Sequence, residues 1–266
     1  MTDFSKDLGK FASKLCFCTT FKESFAIFDE QIKDLGFKST LYSYLPKVAL
    51  DHNHHCTPIF AVSDTFDQHF LQHYLEDGLD QYDYGIRQII EGNMATIDWA
   101  SAVKNHSMSE KEKQVFTLAS ADYRMRNTLT IPCLSGSRGV AGASFITDDN
   151  NQHFTLLKKE TYDTLYTTTK LFHNHIMSNT FEFSTFVQPL LGPFNQTEKA
   201  VLRNLPKGLP VASIANDIGK SVRYTDNVIR NLRIKFGGVD DEDRPNISTA
   251  RLIYHIGLMS LDDELL

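Results

Sequence analysis

The sequence predicts an α+β protein, with an amino-terminal α/β/α sandwich around a central antiparallel sheet and a carboxy-terminal all-α domain of four helices built on a helix-turn-helix. Three observations carry this. Helical runs near 21–35 and 153–178 enclose four β-rich runs. Two of those runs, 128–134 and 139–147, are joined by the hairpin-like SGSRG. Short capped helices with separate apolar faces fill 194–260, after a stretch without any sustained period.

In chain order, the amphipathic run 21–35 predicts a helix, 38–45 and 57–62 predict strands, and 66–77 and 110–123 predict two more helices. The β-rich pair 128–134 and 139–147 follows, and a long helix over 153–178 closes the unit. NTFEFSTFVQPLLGPF has no period and ends in Gly192-Pro193. The domains are therefore placed at 1–179 and 194–266, with a linker at 180–193.

In the carboxy-terminal part, Asn195 followed three residues on by Glu198 is a capping-box pattern, and Val201, Leu202 and Leu205 share the apolar face of the helix it opens. Gly208 ends that helix. Pro210 suits a first helical turn, where its missing N–H costs nothing, and Ile214, Ala215 and Ile218 form a short stripe before a turn at Gly219. Ser221 caps the third helix, whose buried stripe is Thr225, Ile229, Leu232 and Phe236. On the opposite side project Arg223, Asp226, Asn227 and Arg230, including guanidinium and amide groups of the kind that read guanine and adenine edges in a major groove. Lys220, Arg233 and Lys235 flank them and are placed to reach phosphates.

Charge follows the same division. Residues 193–239 hold eight Lys/Arg against three Asp/Glu, whereas the whole chain carries a formal net charge of −6. A local basic surface matters more for binding a polyanion than the total does. The acidic run Asp240, Asp241, Glu242 and Asp243 opposes such binding unless it points away from phosphates.

The carboxy-terminal stretch resembles the DNA-binding domain of the LuxR/GerE family in Glu198, Gly208, the pair Ile214-Ala215 and the closing Lys235-Phe236-Gly237. The resemblance implies a domain that binds two-fold symmetric double-stranded DNA as a homodimer, with Asp226, Asn227 and Arg230 at base-reading positions. It departs from the family pattern at Pro210 and Thr225 and in the longer DDEDRPN segment. Upstream, FDQHFLQHYLEDGLDQYDYGIRQ, TIDWA and FTLASADYRMRNTLTIP resemble the autoinducer-binding domain of LuxR-type quorum-sensing regulators. That resemblance implies a small lipophilic signal, an acyl-homoserine lactone or a related molecule, held by Tyr74, Asp83 and Trp99, the only Trp of the chain. The residue types suit such a ligand, because a carboxylate accepts from an amide N–H, and a phenol and an indole donate to carbonyls. The family pattern is altered at Phe66 and Phe70, where Tyr and Trp are usual, at Tyr84 in place of Pro, and at Thr128 in place of Gly. Two donors are thereby lost from the polar end. Ser144, on VAGASFIT, supplies a replacement hydroxyl if its strand register faces the pocket.

Other readings are bounded by the same residues. With 41% apolar and 23% charged residues the chain has the composition of a globular protein. MTDFSKDLGKFASKL lacks the layout of a signal peptide and no apolar run reaches bilayer length, which places the chain in the cytoplasm and away from membranes. Cys16, Cys18, Cys56 and Cys133 have no C-x-x-C spacing and read as reduced small hydrophobes. DHNHHC at 51–56 and FHNH at 172–175 gather histidines without the spacing of a zinc module, so no metal or other cofactor is expected. No catalytic constellation stands out, and the reading is of a non-enzyme. The alternatives are a ligand-independent regulator that uses its first domain only to dimerise, and a phosphorelay response regulator, which would need an acidic pair and a phosphoacceptor Asp that are not found.

Overall fold

The computed structural model describes residues 2–46, 58–105, 108–179, 186 and 193–259. Two compact units emerge: Met1–Tyr44, Phe60–Gly136 and Val140–Ile176 form the first, and Leu45–Ile59, Ser137–Gly139 and Met177–Leu266 the second. The 180–193 linker and the DHNHHC cluster lie largely or wholly outside the described residues.

The sheet of five antiparallel strands runs in the order β2-β1-β5-β4-β3, with β1 Ser39–Pro46, β2 Ile59–Val62, β3 Ile97–Asp98, β4 Asn127–Gly136 and β5 Gly139–Thr147. Its central strand β5 is buried at every position but Ser144, which is half-buried, so both faces of the sheet are covered. Strand alternation sorts the faces. On one face Phe145 meets Phe28 of helix α2 (Phe21–Asp34) and Phe37, and Tyr42 meets Phe172 of the long helix α7 (Asn151–Ser178), with Phe28 and Phe172 stacked at 4.3 Å. On the other, Leu41 and Ile146 join a second core of Phe66, Phe70, Tyr74, Val115 and Met125. That core is roofed by α3 (Gln68–Glu76) and α6 (Glu110–Asp122). A helix α4 (Tyr84–Ile90) and a helix α5 (Trp99–Lys104) complete this layer.

Three helices escape the sequence reading. Helix α1 (Thr2–Cys16) buries Phe11 and Leu15, a spacing of four, but its remaining positions are mostly polar. Helices α4 and α5 have seven and six residues, too few for a helical period to show. Their starts are nevertheless written in the sequence, because Asp83 and Asp98 accept the Ile86 and Ser101 amides as N-caps. Among the cysteines, Cys133 is buried and burial pushes its thiol up to about 12, while Cys16 is exposed, contrary to the expectation of a packed small hydrophobe. His173 of FHNH is a buried core histidine whose Nδ1 shares a 2.9 Å hydrogen bond with the Tyr42 hydroxyl.

The second unit contains four α-helices among its described residues: α8 (Gln196–Asn204), α9 (Val211–Asp217), α10 (Val222–Gly237) and α11 (Thr249–Leu258). Asn195 and Glu198 form the capping box in both directions, and Ser221 caps α10 through the Tyr224 amide. Gly219, at φ 65°, makes the α9–α10 turn in a left-handed conformation that costs other residues strain. Thr225, Ile229, Leu232 and Phe236 are buried as a stripe together with Val228. One local expectation changes: Pro210 is the N-cap of α9, with ψ 145°, and lies before its first turn. From there its carbonyl accepts the Ser213 and Ile214 amides, a role that needs no N–H. Among the described residues no helix is long and apolar enough to cross a membrane.

Candidate functional site

Between the sheet and the α3–α6 layer the first unit holds a partly open cavity of about 90 Å³. A single water needs about 10–15 Å³ on this scale, so this is a built space and not a packing defect. All seven candidate ligand residues line it: Phe66, Phe70, Tyr74, Asp83, Trp99, Thr128 and Ser144. Most of the remaining wall is apolar, with Leu41, Phe60, Leu71, Ile86, Ile89, Val115, Phe116, Ala119, Met125 and Ile146.

Helix α3 brings Phe66, Phe70 and Tyr74 to the cavity because they recur at intervals of four, from just before its Asp67 N-cap to its last turn. Phe70 and Tyr74 lie 5.7 Å apart, and Phe60 meets Tyr74 edge-on at 5.8 Å. The Tyr74 hydroxyl donates to Asp83 Oδ2 at 3.0 Å, while Asp83 Oδ1 accepts the Ile86 amide at 2.9 Å. Asp83 is thus a helix cap and a pocket carboxylate at once. Burial raises its pKa from its ordinary value, against the lowering effect of the Ile86 and Tyr74 hydrogen bonds. Burial, reinforced by the Asp83 charge, likewise pushes the Tyr74 phenol up.

Beside this pair lies a hydroxyl floor. Trp99 Nε1 donates to Thr130 Oγ1 at 2.8 Å, and Thr130 Oγ1 and Ser144 Oγ share a further bond of 2.8 Å. Register places Ser144 on the pocket side, while Phe145 faces the other core. Thr130 was not among the candidates drawn from the sequence. Its signal was its position two residues after Thr128, which puts both on one face of β4. Gly85, also in the wall, is required by close approach: a Cβ there would stand 3.0 Å from Trp99 Cζ2 and 3.2 Å from Asp83 Oδ1.

The surrounding frame is tied by charge. Arg87 of α4 reaches Glu112 of α6 through Nε at 2.6 Å and Nη2 at 3.3 Å, and Glu112 also closes a capping box with Ser109. Burial alone would raise the Glu112 carboxyl, but the hydrogen bonds from Arg87 and Ser109 win and hold it below its usual value. Lys158 of α7 pairs with Asp98 beside the short β3 strand.

In the second unit Lys220, Arg223, Asp226, Asn227, Arg230 and Lys235 are exposed, and Arg233 is half-buried. Three of the basic groups already have local partners. Arg233 Nε donates to the Ile247 carbonyl at 2.6 Å, Arg230 Nη2 to the Asp243 carbonyl at 2.7 Å, and Lys235 Nζ to the Pro193 carbonyl at 3.1 Å. The Asp240–Asp243 run therefore folds against Arg230 instead of standing apart from that face, and Asp240 and Glu242 are both paired with Arg244.

The sequence matches the Autoinducer binding domain family over residues 20–176. No protein of curated function matches it. Among solved structures, SdiA of Escherichia coli is similar at 14% identity and a TM-score of 0.53, over 98% of this chain and 100% of that one. SdiA in complex with octanoyl-rac-glycerol is similar at 13% and 0.52, over 97% and 96%. The N-acylhomoserine lactone dependent LuxR family transcription factor CepR2 of Burkholderia cenocepacia is similar at 11% and 0.51, over 66% and 97%. These likenesses concern the fold. The match to residues 20–176 spans more than half of the sequence and the whole cavity-bearing core, and on it the chain belongs to the autoinducer-binding-domain family.

Proposed function

We propose that the chain is a cytoplasmic, non-enzymatic transcriptional regulator. Its first unit binds a small lipophilic quorum-sensing signal, an acyl-homoserine lactone or a related molecule, and this occupancy controls dimerisation and promoter binding by the four-helix second unit. The single observation that carries the reading is the apolar cavity with a polar pole made by Tyr74, Asp83, Trp99, Thr130 and Ser144. A lipophilic chain in the apolar part and a small polar head at that pole is the chemistry such a space accommodates. The ligand named for one SdiA structure, octanoyl-rac-glycerol, and the lactone dependence named for CepR2 are of that kind. The exposed polar face of α10 supports the DNA half of the reading, with Arg223, Asp226, Asn227 and Arg230 the base-reading candidates and Lys220, just before the helix, a phosphate contact.

A second reading, a ligand-independent regulator, draws on one observation. The Tyr74 and Trp99 donors are already satisfied by Asp83 and Thr130 within the chain, so the pocket has internal partners of its own. Fluorescence anisotropy of a promoter fragment, titrated with protein in the presence and absence of an acyl-homoserine lactone, separates the two. Signal control predicts a ligand-dependent change in affinity that Asp83→Ala removes. Affinity unaffected by ligand favours the second reading, and no preference for any promoter fragment overturns both.

A further inference from the structure

We propose that the cavity's ligand is a neutral, single-chain acyl amphiphile with one carbonyl, joined to an amide or alcohol head that carries no second carbonyl. This rests on the ligand-binding reading above and narrows it. The hydrogen-bonding capacity of the walls leads there. At one pole the Tyr74 hydrogen is committed to Asp83 Oδ2, so Tyr74 and Asp83 together present acceptor capacity to a ligand. On the floor, Trp99, Thr130 and Ser144 contribute three hydrogens, and the two bonds linking them use two. One hydroxyl hydrogen of the Thr130–Ser144 pair is left to give. Thr128 adds a hydroxyl on the same floor, while the Ser43 hydroxyl is turned to the Gly142 carbonyl at 3.4 Å.

Among the described wall residues the spare donors therefore sit on the sheet. Apart from Tyr74, the α3 wall offers only Phe66, Phe70 and Leu71, and rings cannot donate a conventional hydrogen bond to a carbonyl. A head that gives one hydrogen to Asp83 and takes one from the floor is satisfied. One that projects a further carbonyl toward α3 leaves it buried and unpaired. A carboxylate head is opposed by Asp83 itself, since two buried like charges disfavour each other.

The test is calorimetric titration of the full chain at pH 7.5 with three probes of equal chain length. They are N-octanoyl homoserine lactone, N-(oxolan-3-yl)octanamide, in which the lactone carbonyl is replaced by a methylene, and octanoate. Equal chains cancel the apolar contribution, so the comparison isolates the head. The ring ether is expected to bind within about threefold of the lactone or more tightly, and octanoate about tenfold or more below the ring ether. Asp83→Ala is expected to weaken both neutral probes about tenfold or more. A lactone that binds more than about threefold tighter than the ring ether shows a donor for the second carbonyl and overturns the inference. Octanoate binding on a par with the ring ether overturns it as well, because Asp83 then does not set the head. If none of the three binds up to its solubility limit, the ligand-binding reading itself fails, and the ligand class falls with it.

Discussion

Asp83 shows how one side chain serves fold and site together. It caps α4, receives the Tyr74 hydroxyl and faces the cavity, and burial raises its pKa. A carboxyl whose native pKa is raised binds its proton more readily in the folded than in the unfolded chain. Its ionised form therefore costs stability at neutral pH. That cost fades as pH falls through the raised native value, and is gone below the unfolded value near about 3.9. Asp83→Asn keeps a capping side chain and removes the charge. The melting temperature of the unliganded variant is expected to exceed that of the parent at pH 7, with the gap narrowing toward pH 4.5. A gap that widens on acidification contradicts the raised pKa. Gly85→Ala is expected to weaken ligand binding by displacing Trp99 or Asp83, because the added Cβ would sit 3.0 Å from the indole ring, and titration calorimetry checks it. Tyr74, Asp83 and Trp99 came from the resemblance to the autoinducer-binding domain, and the structure places all three on the cavity wall. Thr130 was passed over, although its spacing of two from Thr128 puts it on the same face of β4, because its pairing with Ser144 depends on β4 and β5 lying side by side.

At the scale of elements, the pocket wall stands on the brace between α4 and α6. Glu112 is buried, paired with Arg87 and closed into a capping box with Ser109, so its removal breaks both the tie to α4 and the capping box of α6. Glu112→Ala is expected to destabilise the chain by about 1–3 kcal/mol, measured by denaturant unfolding. Within the second unit the basic residues divide by what they touch. Arg233 ties α10 to the Ile247 carbonyl, whereas Arg223 is exposed. Arg233→Ala is expected to lower stability by about 1 kcal/mol. Arg223→Ala should leave stability within about 0.5 kcal/mol and weaken promoter binding, checked by unfolding and anisotropy on the same proteins. The long periodic elements and the caps at Asn195 and Ser221 were readable from the sequence because period and capping chemistry are local. Helices α4 and α5 were missed because they are shorter than two full repeats of the helical pattern, and α1 because few of its positions are buried. The fold of the Asp240–Asp243 run against Arg230 was equally out of reach, since it depends on a side chain ten residues and more upstream meeting a backbone carbonyl.

At the scale of the whole molecule, the proposed control is a matter of linkage. A ligand held only by the folded first unit stabilises it by about 2.7 kcal/mol at a hundredfold excess over Kd, enough to set how much competent protein exists. The chain divides into two compact units with different chemistry, one holding a largely apolar, partly open cavity and the other exposing cations on α10. The local excess of Lys/Arg in 193–239 runs against the acidic total of the chain. The central claim is that the cavity is a ligand site, and Trp99 reports on it without interference, being the only Trp of the chain and part of the cavity wall. The decisive measurement is its emission during titration with a neutral octanoyl amide. The account predicts a saturable change in intensity or wavelength that is lost in Asp83→Ala. An emission spectrum that stays constant up to the solubility limit of the amide would contradict it.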